Sequence, residues 1–223
     1  MDISCLEPGT ESSKFKIRYS GLVDYLPTWQ AMKDFTASRA HDAPDEIWLL
    51  QHPPVYTQGV AGKPEHLLHN NGIDVIRTDR GGQITYHGPG QIVAYLLLDM
   101  RRHKLGVREL VRKMEGAVID LLQDYHINAE GRTDAPGVYV NGAKIAALGL
   151  KIKHGCCYHG LALNVHMDLT PFAAINPCGY AGLQVTQTHD LGIADGLETL
   201  SNRLAEKLQT RIIEGKRSHH HDH

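Results

Sequence analysis

The longest uninterrupted apolar run in this 223-residue chain is Ile92 to Leu98, and its shortness limits the fold more than any other feature. A helix needs about 20 apolar residues to cross a bilayer, so this run spans none. With Gln91 ahead of it, it reads as a strongly β-prone strand. Strand and helix signals surround it. Phe15, Ile17 and Tyr19 alternate with Lys16 and Arg18, the pattern of a half-buried strand. Tyr25, Leu26, Trp29, Met32 and Phe35 fall at helical spacing. A start near Asp24 puts Pro27 in the first turn, where proline loses no hydrogen bond. Ile47 to Leu50 reads as a buried strand that stops at His52-Pro53-Pro54. Val75-Ile76 and Ile84 to Tyr86 are short strands around the loop Arg80-Gly81-Gly82, and His87-Gly88-Pro89-Gly90 is a turn.

Val107, Leu110, Val111, Met114, Val118, Leu121, Leu122 and Tyr125 mark a long amphipathic helix. Val138 to Val140, Asn141-Gly142, then Ala143 to Ile152 predict a hairpin with a type I′ turn. Leu161 to Val165 continues the β region, and Leu197, Leu200, Leu204, Leu208 and Ile212 mark a last helix. Strands grouped with helices, without strict alternation and without a linker, predict one α+β domain on a mixed or antiparallel sheet.

Hydrophobic residues make up 42% and charged residues 22%, enough to build a core and too apolar for disorder. A formal net charge of −2 gives no bulk attraction to nucleic acid or to anionic membranes. Residues 1–20 mix charges among apolar positions, so no signal peptide is visible and the cytosol, or an organelle interior after trimming, is expected. Of the four cysteines, Cys5, Cys156, Cys157 and Cys178, none forms a C-x-x-C pair, which argues against a zinc ribbon or a thioredoxin-type site. In a reducing compartment all four stay thiols.

Four stretches carry residues that fold maintenance alone does not require. In Arg80 to Gln91, adjacent glycines let a ligand approach the main chain, and exposed N–H groups can cradle an anion or a thioester oxygen. The same stretch also fits a plain hairpin with glycine turns. It is neither G-x-G-x-x-G nor a P-loop. Lys144 stands in the apolar strand of Asn141 to Gly149. Alternation alone puts it on the wet face; the alternative is a buried lysine beside an anionic partner such as a thiolate. Gly160-Leu161-Ala162, ahead of the strand Leu163 to Val165, offers small residues that line a pocket or pack tightly. Cys178 lies on the turn Asn176-Pro177-Cys178-Gly179, a better place for a nucleophile than a core element. His52, His87, His154, His159 and His166 show no H-E-x-x-H or comparable metal spacing.

In combination, RGGQITYHGPGQIVAY, GVYVNGAKIAALGLKI, HGLALNV and INPCGYAG, in that order, closely resemble the lipoyl(octanoyl) transferases, also called lipoate-protein ligase B. The resemblance covers roughly Phe15 to Leu208 and is strongest from Arg80 to Gly182. It implies the biotin/lipoate ligase-like fold, a mixed, largely antiparallel sheet flanked by helices, with residues 1–213 as the catalytic domain and the His-rich 214–223 as a tail or tag. It implies an acyl-thioester on Cys178 and a pKa-lowering lysine at Lys144. Substrate contacts would come from Arg80, Gly81, Gly82, Gln83, Ile84, Thr85, Tyr86 and His87, from Ala147, Leu148 and Gly149, and from Gly160, Leu161 and Ala162. The implied donor is octanoyl-acyl carrier protein. The implied acceptors are lipoyl domains of 2-oxoacid dehydrogenases and the glycine-cleavage H protein, with no cofactor, metal, nucleic acid or membrane. Arg77, Arg80, Lys151 and Lys153 are the candidates for a basic rim that meets the acidic donor. Two rivals share the fold. An ATP-dependent lipoate or biotin ligase needs no cysteine, and a non-catalytic relative would not be expected to keep both Lys144 and Cys178.

Overall fold

The computed structural model describes residues 15–69, 71–176 and 182–214. Cys5, Pro177, Cys178, Gly179 and the His-rich tail from residue 215 onward lie outside the described residues. A seven-stranded sheet runs in the order β1 (Phe15–Leu22), β2 (Asp45–Gln51), β6 (Gln91–Asp99), β10 (Cys156–Asn164), β9 (Ala143–Lys153), β8 (Gly137–Val140), β7 (Glu130–Gly131). A small sheet places β3 (Val55–Gln58) between β4 (Val75–Arg77) and β5 (Ile84–His87). In the large sheet the β1/β2 pair is parallel and every other pair antiparallel. A parallel pair needs a crossover, and helix α1 (Tyr25–Ser38) supplies it.

The apolar run becomes β6, buried along its whole length. It is apolar on both sides because both faces of the sheet are covered. Ile92, Ala94, Leu96 and Leu98 join the core formed with α2 (Val107–Gln123) and α3 (Leu197–Ile213). Val93, Tyr95 and Leu97 pack on the other face with Met32, Trp29 and Phe35 of α1. In α2 the buried stripe is Leu110, Met114, Val118 and Leu121; in α3 it is Leu200, Leu204, Leu208 and Ile212. The expected I′ turn forms, with φ of 50° at Asn141 and 81° at Gly142.

Some boundaries differ from expectation. Tyr125 falls beyond the end of α2, and Val165 beyond β10. Strand β3, hidden in the sequence behind Pro53-Pro54, forms because β5 pairs with it from Val55↔His87 to Gln58↔Ile84. Gly160-Leu161-Ala162 does not precede a strand but lies inside β10, which starts at Cys156. Among the described residues no helix is long and apolar enough to cross a membrane.

Candidate active site

On the face of the sheet that carries α1, the register sets small residues opposite one another: Gly149 pairs with Gly160, and Ala147 with Ala162. With no side chain at two of these positions and a single methyl at the other two, the four residues floor a cleft. The loop after β4 crosses above the floor. An added Cβ at Gly149 would lie 2.9 Å from the Gly81 carbonyl oxygen and 3.2 Å from Arg80 Cδ, so only glycine lets the loop approach this closely.

Arg80 is buried and braces the loop from within. Its Nη1 donates to the Gly81 carbonyl at 2.9 Å, its Nη2 to the Gln83 carbonyl at 2.8 Å, and its Nε to Thr57 Oγ1 at 3.2 Å. Gly81 N–H donates to the Leu150 carbonyl at 2.8 Å, tying the loop to β9. A chain of directed hydrogen bonds continues downward. Thr57, which accepts from Arg80, stands 3.2 Å from His87 Nε2, and His87 Nδ1 stands 2.7 Å from Gln91 Oε1. Gln91 Nε2 donates to the Tyr86 carbonyl at 3.2 Å and to Asn164 Oδ1 at 2.9 Å, and Asn164 Nδ2 donates to the Thr186 carbonyl at 3.0 Å. The backbone carbonyls can only accept, so both amides are oriented and His87 carries its proton on Nδ1. Burial, helped by the neighbouring His52 and Arg80, pushes the His87 pKa down to about 3.

His52 is fixed in the same way. Its Nδ1 donates to the Val23 carbonyl at 2.6 Å, its Nε2 accepts from the Tyr95 hydroxyl at 2.8 Å, and burial lowers its pKa to about 4. Tyr25, His52, His87 and Tyr95 thus form a box of uncharged rings with centroids 5.1 to 6.2 Å apart. Tyr25 lines the cleft and is 5% exposed; its hydroxyl completes no hydrogen bond of normal geometry among the described residues and has only a looser contact with Thr78. Burial raises its pKa to about 12, so it stays an O–H donor.

Asp79 braces His159 of the cleft wall. It accepts from Trp29 Nε1 at 3.0 Å, from His159 Nε2 at 2.9 Å and from the Tyr158 hydroxyl. Burial works to raise its pKa, but the bonds from His159 and Tyr158 win and hold the carboxyl well below the usual range. This joins α1 to β10 through the loop.

Lys144 is 3% exposed, which overturns the wet-face expectation. Both faces of β9 are covered here, and a β-bulge decides which of them Lys144 takes. Pairing passes from Val138↔Ala146 to Tyr139↔Lys144, leaving Ile145 without an opposite residue. One extra residue reverses face parity and brings Lys144 to the side of Ala147. There it lines a smaller hollow that shares Thr85 and Ala147 with the cleft. Its Nζ lies 3.4 Å from the Pro136 carbonyl oxygen and 5.3 Å from the centre of the Tyr139 ring. Its N–H donates to the Gln184 carbonyl at 2.8 Å and its carbonyl accepts from Thr186 N–H at 2.9 Å, so residues 184–186 cover the strand. On the other side of the undescribed stretch, Asn176 N–H donates to the His66 carbonyl at 2.8 Å.

Gly82 to Thr85, His87, Ala147 to Gly149 and Gly160 to Ala162 therefore line one cleft. Gly81 is engaged with β9, and Tyr86 turns away onto Tyr56 and Phe172. Tyr25, Val93, Tyr95 and His159 also line the cleft and were not singled out from sequence, because cleft wall and core share the same periodic positions. Cys156 and Cys157 are buried thiols, and burial lifts Cys157 to about 12. Among the described residues no three His, Cys, Asp or Glu side chains gather as a metal site.

Residues 24–209 match the family described as lipoyl protein ligase A/B catalytic domain. The octanoyltransferase of Nitrosospira multiformis is 76% identical over 200 residues, covering 90% of this chain and 93% of that protein. Solved structures share the fold. The bipartite lipoate protein ligase of Thermoplasma acidophilum superposes with a TM-score of 0.69 at 17% identity, covering 89% of this chain and 84% of that one. The biotin protein ligase of Aquifex aeolicus, in complex with biotin and ATP, gives a TM-score of 0.56 at 10% identity, covering 88% and 69%.

Proposed function

Because the chain belongs to the lipoyl protein ligase A/B catalytic-domain family, in its octanoyltransferase branch, we propose that it moves an octanoyl group through a thioester on Cys178. The Cys178 thiolate attacks the thioester carbonyl of octanoyl-acyl carrier protein, and the carrier's thiol leaves. An acceptor lysine amine then attacks the new thioester, an amide forms, and the Cys178 thiolate departs. Thiolate chemistry suits this role because it attacks readily and preserves the activation of the acyl group. An ammonium nearby raises the thiolate fraction of a group whose unperturbed pKa is about 8.5. Lys144 is assigned that part: its ammonium gives a proton to the departing carrier thiolate, and the neutral amine so formed takes the proton lost by the attacking acceptor amine.

The observation that carries this reading is the position of Lys144, buried beside an apolar cleft and sharing two lining residues with it. The cleft holds the octanoyl chain, and the loop of Arg80 to Gln83 lies over its carbonyl end. Acceptors are lipoyl domains, among them those of 2-oxoacid dehydrogenases and the glycine-cleavage H protein. The reaction is assigned to the cytoplasm, where a catalytic thiol stays reduced, and to residues 1–213. Mixing the full chain with octanoyl-acyl carrier protein and measuring intact mass tests the reading. One octanoyl group should appear, labile to hydroxylamine and absent in Cys178→Ala. An adduct that persists in that variant, or a turnover that requires ATP and magnesium, would sink it.

A further inference from the structure

Glu115, on α2, is a buried carboxylate that faces β7 and β8 at Gly131 and Gly137. Its Oε1 accepts from the Gly137 N–H at 3.0 Å. The carbonyl of the same peptide unit, that of Pro136, stands 3.4 Å from Lys144 Nζ. A negative group thus sits at the N–H end of one peptide dipole and a positive group at its C=O end. Each polarises the peptide in the sense that strengthens the other's hydrogen bond. The packing admits little else. An added Cβ at Gly137 would lie 2.9 Å from Lys144 Cε and 3.2 Å from its Nζ. One at Gly131 would lie 2.9 Å from Glu115 Oε2. Burial raises the pKa of Glu115, while the Gly137 bond and the charges of Arg112 and Lys144 oppose that rise.

We propose that Glu115 is a positioning residue for acyl transfer: it holds the Pro136–Gly137 peptide so that its carbonyl anchors the Lys144 amine beside the cleft. The proposal rests on the reading of Lys144 given above. Glu115 touches no substrate; it acts from the helix side of the sheet through a single peptide bond. A glutamate that merely capped the start of β8 would matter for stability and not specifically for Lys144.

A double-mutant cycle separates the two roles. Full-length Glu115→Gln, Glu115→Leu, Lys144→Ala and the two pairings are compared by thermal melt, by kcat and KM for octanoyl transfer, and by the rate of Cys178 alkylation with iodoacetamide. In the wild-type background Glu115→Leu should lower kcat and the alkylation rate about tenfold with KM little changed, the size expected of coupled neighbours. Glu115→Gln, which keeps an acceptor for Gly137 N–H, should recover part of the loss. In the Lys144→Ala background both substitutions should change alkylation by less than about twofold. Equal losses in both backgrounds would overturn the proposal. So would unchanged rates in both Glu115 variants alongside a damaged Lys144→Ala, an outcome that leaves the reading of Lys144 intact. Lys144→Ala with wild-type rates would remove that reading and this proposal with it. If Glu115→Leu does not fold, Glu115→Gln alone completes the cycle.

Discussion

Gln91 on β6 donates from Nε2 to Asn164 Oδ1 on β10 across 2.9 Å, and with its other end it accepts from His87. One buried side chain therefore links the loop above the cleft to the strand below it. Replacing it by leucine conserves volume but orphans His87 Nδ1–H and Asn164 Oδ1. A buried group left without a partner costs about 1–3 kcal/mol. Gln91→Leu should lower the melting temperature by at least about 4 °C, given 2–4 °C per kcal/mol in a chain of this size. A melt within about 1 °C of wild type would show that the network does not hold the loop.

Tyr25→Phe should separate stability from activity. The hydroxyl has only a loose contact with Thr78 to lose among the described residues, so folding stability should stay within about 0.5 kcal/mol or rise slightly. If that O–H meets the bound acyl thioester, kcat/KM falls by up to about tenfold, the worth of one neutral hydrogen bond. Urea unfolding and steady-state kinetics on the same preparation decide it. A destabilised variant with normal kinetics contradicts the assignment.

Acid should destabilise the protein well before its carboxylates titrate. His87 is pushed down to about 3 and His52 to about 4, whereas an unfolded histidine titrates near 6.5. Below that value the unfolded chain binds protons that the folded state refuses. Stability is therefore full above pH 6.5 and declines as pH drops toward the folded values, by about 1.4 kcal/mol per pH unit for each histidine. Asp79, held below the usual carboxylate range, adds its own loss only below about pH 4. Urea unfolding at pH 7, 6 and 5 should show the fall, and His87→Gln should flatten it by about one proton. An identical slope in that variant would mean His87 is not buried in its neutral form.

How far these features can be read in the chain depends on whether local pattern or long-range pairing decides them. The β6 run and the Asn141-Gly142 hairpin are legible because covered faces and turn chemistry write themselves into adjacent residues. The position of Lys144 is not, since a single unpaired residue, Ile145, reverses the parity that alternation would assign. Strand β3 hides because its partners are distant in sequence. Glu115 looks like any helix glutamate until Gly137, far along the chain, brings its N–H to it. The stretches around Arg80, Ala147 and Gly160 stand out as motifs, but that Gly149 faces Gly160 as one floor follows only from the register of β9 and β10.

If acyl carrier protein is the donor, as proposed, burial narrows the choice of its docking surface. Arg80 is 8% exposed and engaged by Thr57 and Gln83, so it cannot serve as a rim cation. Arg77 and Lys153 are exposed, and Lys151 is half-buried with its charge reaching His159 at the cleft. Acyl carrier proteins are acidic, and a brief encounter needs only modest contact area. Charge at the rim then acts chiefly on association, by steering. Lys151→Glu with Lys153→Glu should lower kcat/KM at low salt about tenfold while leaving single-turnover transfer from preformed acyl-enzyme unchanged. The deficit should shrink with added salt, because the screening length falls from about 10 Å at 0.1 M to about 3 Å at 1 M. Strand alternation alone would also put these lysines in water, and in that case the reversal changes nothing at any ionic strength. A loss independent of salt would point instead to damage at the end of β9, and the donor would have to dock elsewhere.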